Sequence, residues 1–201
     1  MKNLEQGSDE WKEARSGLLT ASNFGAAIGI NPYQSRQKLW AEMVGDAEPF
    51  TGNEMTEYGT EHEPDAIFEY ESWSGNFVER TGFWVNEEYP DLGCSPDGLV
   101  GKSGLVEAKC PFKQIPHEEI PAYYMAQMQG QMLITKRVWC DFVSWSPDDT
   151  RIWRVDYSHE YVNAMIPLLG DFWESVQKHE KPKRRKAPEM PVVGFEVLKG
   201  D

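Results

Sequence analysis

GCSPDGLVGKSGLVEAKCP, residues 93–111, is the stretch on which the reading of this chain turns. Gly98-Leu99-Val100 runs into Gly101-Lys102-Ser103-Gly104, a glycine-flanked turn between two short apolar runs, which signals a β-hairpin. The second arm is Leu105-Val106-Glu107-Ala108-Lys109. Side chains alternate faces along a strand, so Leu105, Glu107 and Lys109 share one face and Val106 and Ala108 take the other. The hairpin folds Asp97 back toward Glu107. Two carboxylates and one ammonium are thereby expected around one point on rigid strands.

Such a trio suits a hard cation. Mg²⁺ takes oxygen ligands and is often held by only one or two carboxylates plus substrate phosphate. Asp97 and Glu107 supply carboxylates, and the Ala108 carbonyl supplies a further oxygen. Lys109 is placed to orient a water or to neutralise charge developing on a phosphate. An isolated Asp…Glu-x-Lys match is usually a turn aspartate beside a surface ion pair. The hairpin spacing and the flanking residues argue against that bland reading here.

The segments GSDEWKEARSGLLTAS, YGTEHEPDAIFEYE, CSPDG, EAKCPF and YYMAQMQGQM occur in one order along residues 6–134. Together they resemble the phage lambda exonuclease family of viral recombination nucleases, within the PD-(D/E)XK superfamily. The resemblance implies an α/β restriction-endonuclease-like fold, a mixed twisted sheet flanked by helices. It implies a processive Mg²⁺-dependent (Mn²⁺ substituting) 5′–3′ exonuclease on linear duplex DNA, releasing 5′-mononucleotides and leaving a 3′ overhang. It implies that Asp97 and Glu107 bind metal with Ala108, and that Lys109 acts on the attacking water. Glu63 and Gln127 then support the site. Arg15, Ser22 and Ser95 hold the 5′-phosphate, and Met55 is the apolar wedge at the terminal base pair. Implied partners are DNA ends, a single-strand annealing protein and two further copies in a homotrimeric ring, inside a bacterial cell and phage- or prophage-encoded. Two rivals use the same residues: an endonuclease or 3′–5′ nuclease on this core, and a non-catalytic DNA-end-binding module.

Around these motifs the chain reads as follows. Gly7 and Ser8 open a helix that puts Trp11, Ala14 and Arg15 on one face and ends at Gly17. Thr20-Ala21-Ser22 begins another, with Phe24, Ala27 and Ile28 inward. Free N–H groups at such helix starts suit an anion, beside Arg15 and Ser22. Residues 35–44 form a helix closed by Gly45. Thr60-x-x-Glu63 reads as a capping box opening a helix to about Trp73, which confines Pro64 to its first turn; His62 reads as packing or surface. Strands are expected at 77–80 and 83–86, followed by a turn at Tyr89-Pro90-Asp91. Pro116 and Pro121 frame a loop, and Pro121 starts a helix to about Ile134 on which Tyr124, Gln127 and Gln131 share a face. A strand pair spans 138–145 and 151–157. A last helix covers 159–179, with a kink or break at Pro167.

Length and composition set the frame. The 201 residues, 40% of them hydrophobic, suit one folded domain, placed at 1–181 with a basic, proline-containing tail at 182–201. No stretch approaches the roughly 18 apolar residues of a membrane span, and the N-terminus lacks a secretory apolar region, so a cytoplasmic protein is expected. Three cysteines without ligand spacing read as reduced core residues. The six Lys or Arg in 178–186 read by default as a floating tail. A net charge of −13 opposes DNA binding, which depends on neutralising phosphates. The closed ring that the resemblance implies, with a locally basic lining, resolves that conflict. Arg15, Arg36 and Lys38 are lining candidates, then Lys113 and Lys183 to Lys186.

Overall fold

The computed structural model describes residues 8–200; Gly7, expected at the entry of the first helix, lies outside the described residues. In chain order the elements are α1 (Asp9–Arg15), β1 (Leu19–Thr20), a 3₁₀ turn (Ala21–Asn23), α2 (Phe24–Ile28), α3 (Arg36–Val44), α4 (Glu54–Ser74), β2 (Val78–Glu79), β3 (Trp84–Asn86), β4 (Tyr89–Cys94), β5 (Gly98–Val100) and β6 (Gly104–Lys109). There follow α5 (Ala122–Thr135), β7 (Trp139–Trp145), β8 (Thr150–Asp156), α6 (His159–Gln177) and β9 (Phe195–Lys199). Among the described residues the strands form a six-stranded sheet, β2-β5-β6-β7-β8-β9, and a three-stranded sheet, β1-β4-β3. In the larger sheet β6 and β7 are parallel and the other pairs antiparallel. This is the mixed sheet expected from the sequence, and it carries helices on both faces.

The hairpin forms as its glycines dictate. Gly98 pairs with Val106, Leu99 with Leu105 and Val100 with Gly104. Gly101 turns at φ +53°, a left-handed conformation that costs glycine nothing. Leu105 enters the larger apolar cluster with Phe24, Met128, Phe142 and Phe172, beneath α2, α5 and α6. Val106 and Ala108 enter the other, with Ala66, Tyr70, Val143 and Ile152, beneath α4. Each fully buried leucine or phenylalanine adds roughly 1.5–3 kcal/mol of transfer free energy. The β6 strand is therefore clamped from both sides, and Glu107 and Lys109 cannot drift.

A buried polar link fixes α4 to the sheet. Tyr70 donates its hydroxyl to Asp141 Oδ2 at 2.7 Å, and Arg154 donates Nε and an η nitrogen to the same carboxylate, both at 2.8 Å. Burial, then Asp141, raises the Tyr70 pKa, so this donor stays protonated.

Several elements depart from expectation. Helix α4 begins at Glu54, not at Thr60. Asn53 Oδ1 accepts from the backbone N–H of Met55 and of Thr56, while Thr56 Oγ1 accepts from the Asn53 N–H at 2.7 Å. That reciprocal cap satisfies orphan donors two turns earlier. Thr60 is interior and donates its hydroxyl to the Thr56 carbonyl at 3.0 Å, and Pro64 also lies inside the helix. Residues 89–91 open strand β4 rather than a turn, because Asn86 and Tyr89 pair across the two residues between them. Thr20-Ala21-Ser22 leads into a single 3₁₀ turn before α2. Helix α6 runs through Pro167 without a break. The tail does not float: Met190 and Val193 pack on the core, and β9 pairs with β8. Arg36 is not a free cation for a lining, since it is buried against Asp171 at 2.6 Å. No helix among the described residues is long and apolar enough to cross a membrane.

Candidate active site

The site begins at the β5–β6 hairpin. Asp97, just before β5, accepts the Ala108 backbone N–H on Oδ2 at 2.8 Å. A strand residue presents its N–H and C=O to the same side, so the Ala108 carbonyl also faces Asp97. Glu107 points to the opposite face from Val106 and is almost fully buried, at 1% exposure. Lys109, two residues on, donates Nζ to Glu107 Oε1 and lies 5.2 Å from the Tyr124 ring centre. The expected trio is therefore assembled.

Helix α5 closes the site from above. Gln127 Nε2 donates to Glu107 Oε1 at 2.5 Å, and Gln131 Nε2 donates to Glu107 Oε2 at 2.6 Å. The two amides are four residues apart, one above the other on the helix. Gln129, between them, points elsewhere, donating to the Asp156 carbonyl and accepting the Ser158 N–H, each at 2.8 Å. From α4, half-buried Glu63 reaches the same field. Burial raises its pKa, Lys109 opposes that, and Glu107 adds to it.

The electrostatics state what the cluster lacks. Burial first, and then Glu107, hold the Asp97 carboxyl well above the ordinary carboxylate range. Burial alone would lower Lys109, but Glu107 and Asp97 outweigh it and hold the ammonium charged. Glu63, Asp97 and Glu107 set three carboxyl groups against one lysine, a cluster of hard oxygen donors. A divalent cation held by Asp97 and Glu107, with the Ala108 carbonyl, fits that donor set.

A second cluster adjoins the first. Strand β1 lies parallel to β4, with Leu19 opposite Leu92 and Thr20 opposite Gly93. That pairing sets the β1 end beside Ser95. The Arg15 guanidinium stacks 4.0 Å over the Trp11 ring and approaches Thr20 Oγ1 at 3.5 Å. Trp11 Nε1 donates to Ser95 Oγ at 2.9 Å. Thr20 Oγ1 and Ser22 Oγ are 3.2 Å apart, and Asn23 Nδ2 donates to Thr20 at 3.3 Å. Arg15, Ser22 and Ser95 thus belong to one network of contacts. Burial lowers the Arg15 pKa slightly, and a guanidinium remains charged at any ordinary pH.

Met55 stands apart from both groups. It is 60% exposed on the first turn of α4, eight residues and about 12 Å of helix rise before Glu63. His62, expected as packing or surface, has Nδ1 3.0 Å from Asp65 Oδ2 and stacks on Trp145. Sequence reasoning missed Trp11 and Thr20, which link Arg15, Ser22 and Ser95, and the grip of Gln131 on Glu107. It also missed His117, whose Nδ1 lies 2.7 Å from Ser144 Oγ, opposite Lys109 in the sheet register. Burial, and then Lys109, keep that imidazole's pKa low.

Comparison with known proteins comes to the same place. Residues 10–138 match the YqaJ-like viral recombinase domain. An alkaline exonuclease from Laribacter hongkongensis is 30% identical, with a TM-score of 0.75 over 86% of this chain and 94% of that one. The same enzyme in complex with dAMP superposes with a TM-score of 0.76 at 29% identity over the same shares. A phage-related exonuclease from Haemophilus somnus shares the fold, with a TM-score of 0.57 at 19% identity over 82% of this chain and 93% of that one. An uncharacterised protein of Acanthamoeba polyphaga mimivirus is 25% identical over 83% of this chain and 33% of its own length. An African swine fever virus protein is 24% identical over 65% of this chain and 46% of its own length. The chain thus spans a third to under a half of these two viral relatives. The family and structural matches agree with the resemblance to the phage lambda exonuclease family drawn from the motifs.

Proposed function

The chain belongs to the YqaJ-like viral recombinase family, and from that premise we propose that it is a divalent-metal-dependent exodeoxyribonuclease degrading linear duplex DNA from 5′ ends. The observation that carries this reading is the union of Asp97, Glu107 and Lys109 on one buried hairpin, with Gln127 bonded to Glu107. A Mg²⁺ ion there would polarise a phosphoryl oxygen and acidify a water. Asp97 and Glu107 hold the cation, with the Ala108 carbonyl. Lys109 orients the attacking water and neutralises charge on the phosphate in the transition state. Gln127 holds Glu107 through its amide, and Glu63 supports the metal site from α4.

Polarity follows from the neighbouring pocket. Arg15, Ser22 and Ser95 bind the terminal 5′-phosphate through charge-assisted contacts. Ser95 and Asp97 are two residues apart, so their Cα atoms lie within about 7 Å. A phosphate seated at Ser95 therefore places the next phosphodiester near Asp97, and the product is a 5′-mononucleotide with a 3′ overhang. Met55 acts as the wedge at the terminal pair. The enzyme works as a homotrimeric ring that encloses the duplex, beside a single-strand annealing protein that takes the overhang.

The test is a linear duplex labelled at either 5′ or 3′ termini, with a circular duplex as control, in Mg²⁺ and in EDTA. The reading expects prompt release of the 5′ label as mononucleotide in Mg²⁺ only. Prompt release of the 3′ label, or cutting of the circle, replaces it with one of the rival nucleases. Binding of ends without cutting would leave a recruitment module.

A further inference from the structure

Helix α5 carries three glutamines in QMQGQ, residues 127–131, and their bonding separates them. Gln129 is satisfied at both ends of its amide by backbone groups of 156 and 158, so it joins α5 to the β8–α6 corner. Gln131 is different. It is 1% exposed and its Nε2 donates to Glu107 Oε2 at 2.6 Å. Its Oε1 is buried with no hydrogen-bond partner. A buried acceptor left unmade is destabilising in itself. Met128, one turn earlier on the same helix, and Met132, the next residue, are fully buried methionines. The amide is thus oriented for its donor alone: Nε2 is spent on Glu107 while Oε1 goes unmade.

We propose that Gln131 is a positioning residue that presents Glu107 to the divalent cation by holding its second carboxylate oxygen. Glu107 Oε1 already takes Lys109 and Gln127. Without Gln131 the carboxylate is free to pivot about that side, and the cation meets a mobile ligand. Residues that orient metal ligands commonly change affinity 10–100-fold when lost. The inference rests on the metal-dependent reading of the site above.

The experiment titrates the full-length protein with Ca²⁺, a hard cation that reports binding without cleavage, by calorimetry at fixed pH. Gln131→Met should bind Ca²⁺ about 10-fold more weakly. It should also raise the Mg²⁺ concentration for half-maximal cutting by more than it lowers the rate at saturating Mg²⁺. Gln129→Met should do the reverse, lowering the melting temperature with Ca²⁺ affinity unchanged. Parental Ca²⁺ affinity in Gln131→Met overturns the inference and leaves the nuclease reading intact. If that variant does not fold, Gln131→Ala carries the same test, and parental affinity there overturns it equally. A parent that binds neither Ca²⁺ nor Mg²⁺ removes both readings.

Discussion

At the scale of single residues, the site is a charge problem that the fold leaves open. Burial, then Glu107, raise the Asp97 pKa well above the ordinary range. A raised folded pKa means the native state binds more protons than the unfolded chain. Its stability contribution is fully present below the unfolded value near 3.9 and is lost as pH rises through the folded value. In EDTA the parent should therefore lose stability as pH rises from about 4 toward neutrality, and Asp97→Asn should flatten that slope. Urea unfolding across this range reads it; an unchanged slope in the variant would place the strain elsewhere. Arg15 gives the complementary prediction for substrate. Arg15→Ala should slow cutting of 5′-phosphorylated ends at least 10-fold more than cutting of 5′-hydroxyl ends, since a charge-assisted contact to phosphate is lost. Equal losses would make Arg15 structural, through its stacking on Trp11. Asp97, Glu107 and Lys109 were readable because ten residues and two glycine turns hold them. Trp11 and Ser95 were not readable as a pair, because 84 residues separate them and only the β1–β4 pairing brings them together.

At the scale of elements, local signals succeeded where one turn or cap had no competitor. The hairpin, the Ser8 cap and the Gly45 stop all form. They failed where two signals competed. Asn53 with Thr56 outbids Thr60 with Glu63 for the start of α4, and tertiary packing carries that helix through Pro64. Residues 195–199 pair with β8 only after the intervening tail has crossed the core, a long-range event with no local mark. The α2–α5 contact is the element junction on which the site most depends, because α5 carries Gln127 and Gln131. There a Cβ on Gly25 would lie 2.6 Å from Tyr123 Cβ and 3.0 Å from its Cα. Backbone must move to admit it, so Gly25→Ala should cost about 1–3 kcal/mol, visible as a lower urea midpoint. An unchanged midpoint would mean that the two helices separate freely.

At the scale of the whole molecule, the charge of −13 must still be reconciled with a polyanionic substrate. Part of the excess is the carboxyl cluster of Glu63, Asp97 and Glu107, whose charge a bound divalent cation would offset. Arg36 is engaged by Asp171, and Arg185 approaches the same carboxylate at 3.4 Å. Arg15, Lys38, Lys113 and the remaining tail cations are left for a lining. A ring holds DNA by enclosure, which does not depend on Coulomb attraction, while encounter does. Light scattering should report a trimer, and added salt should slow loading on ends more than it shortens each run; a monomer, or equal salt sensitivity of both steps, would rule the ring out. The central claim is chemical and has a more direct test. In Mg²⁺, release of a 5′ label from linear duplex should fall about 10³-fold in Glu107→Gln, a loss of the size expected for one preorganised electrostatic group. Circular dichroism should show that variant folded. Parental cleavage by a folded Glu107→Gln would contradict the account.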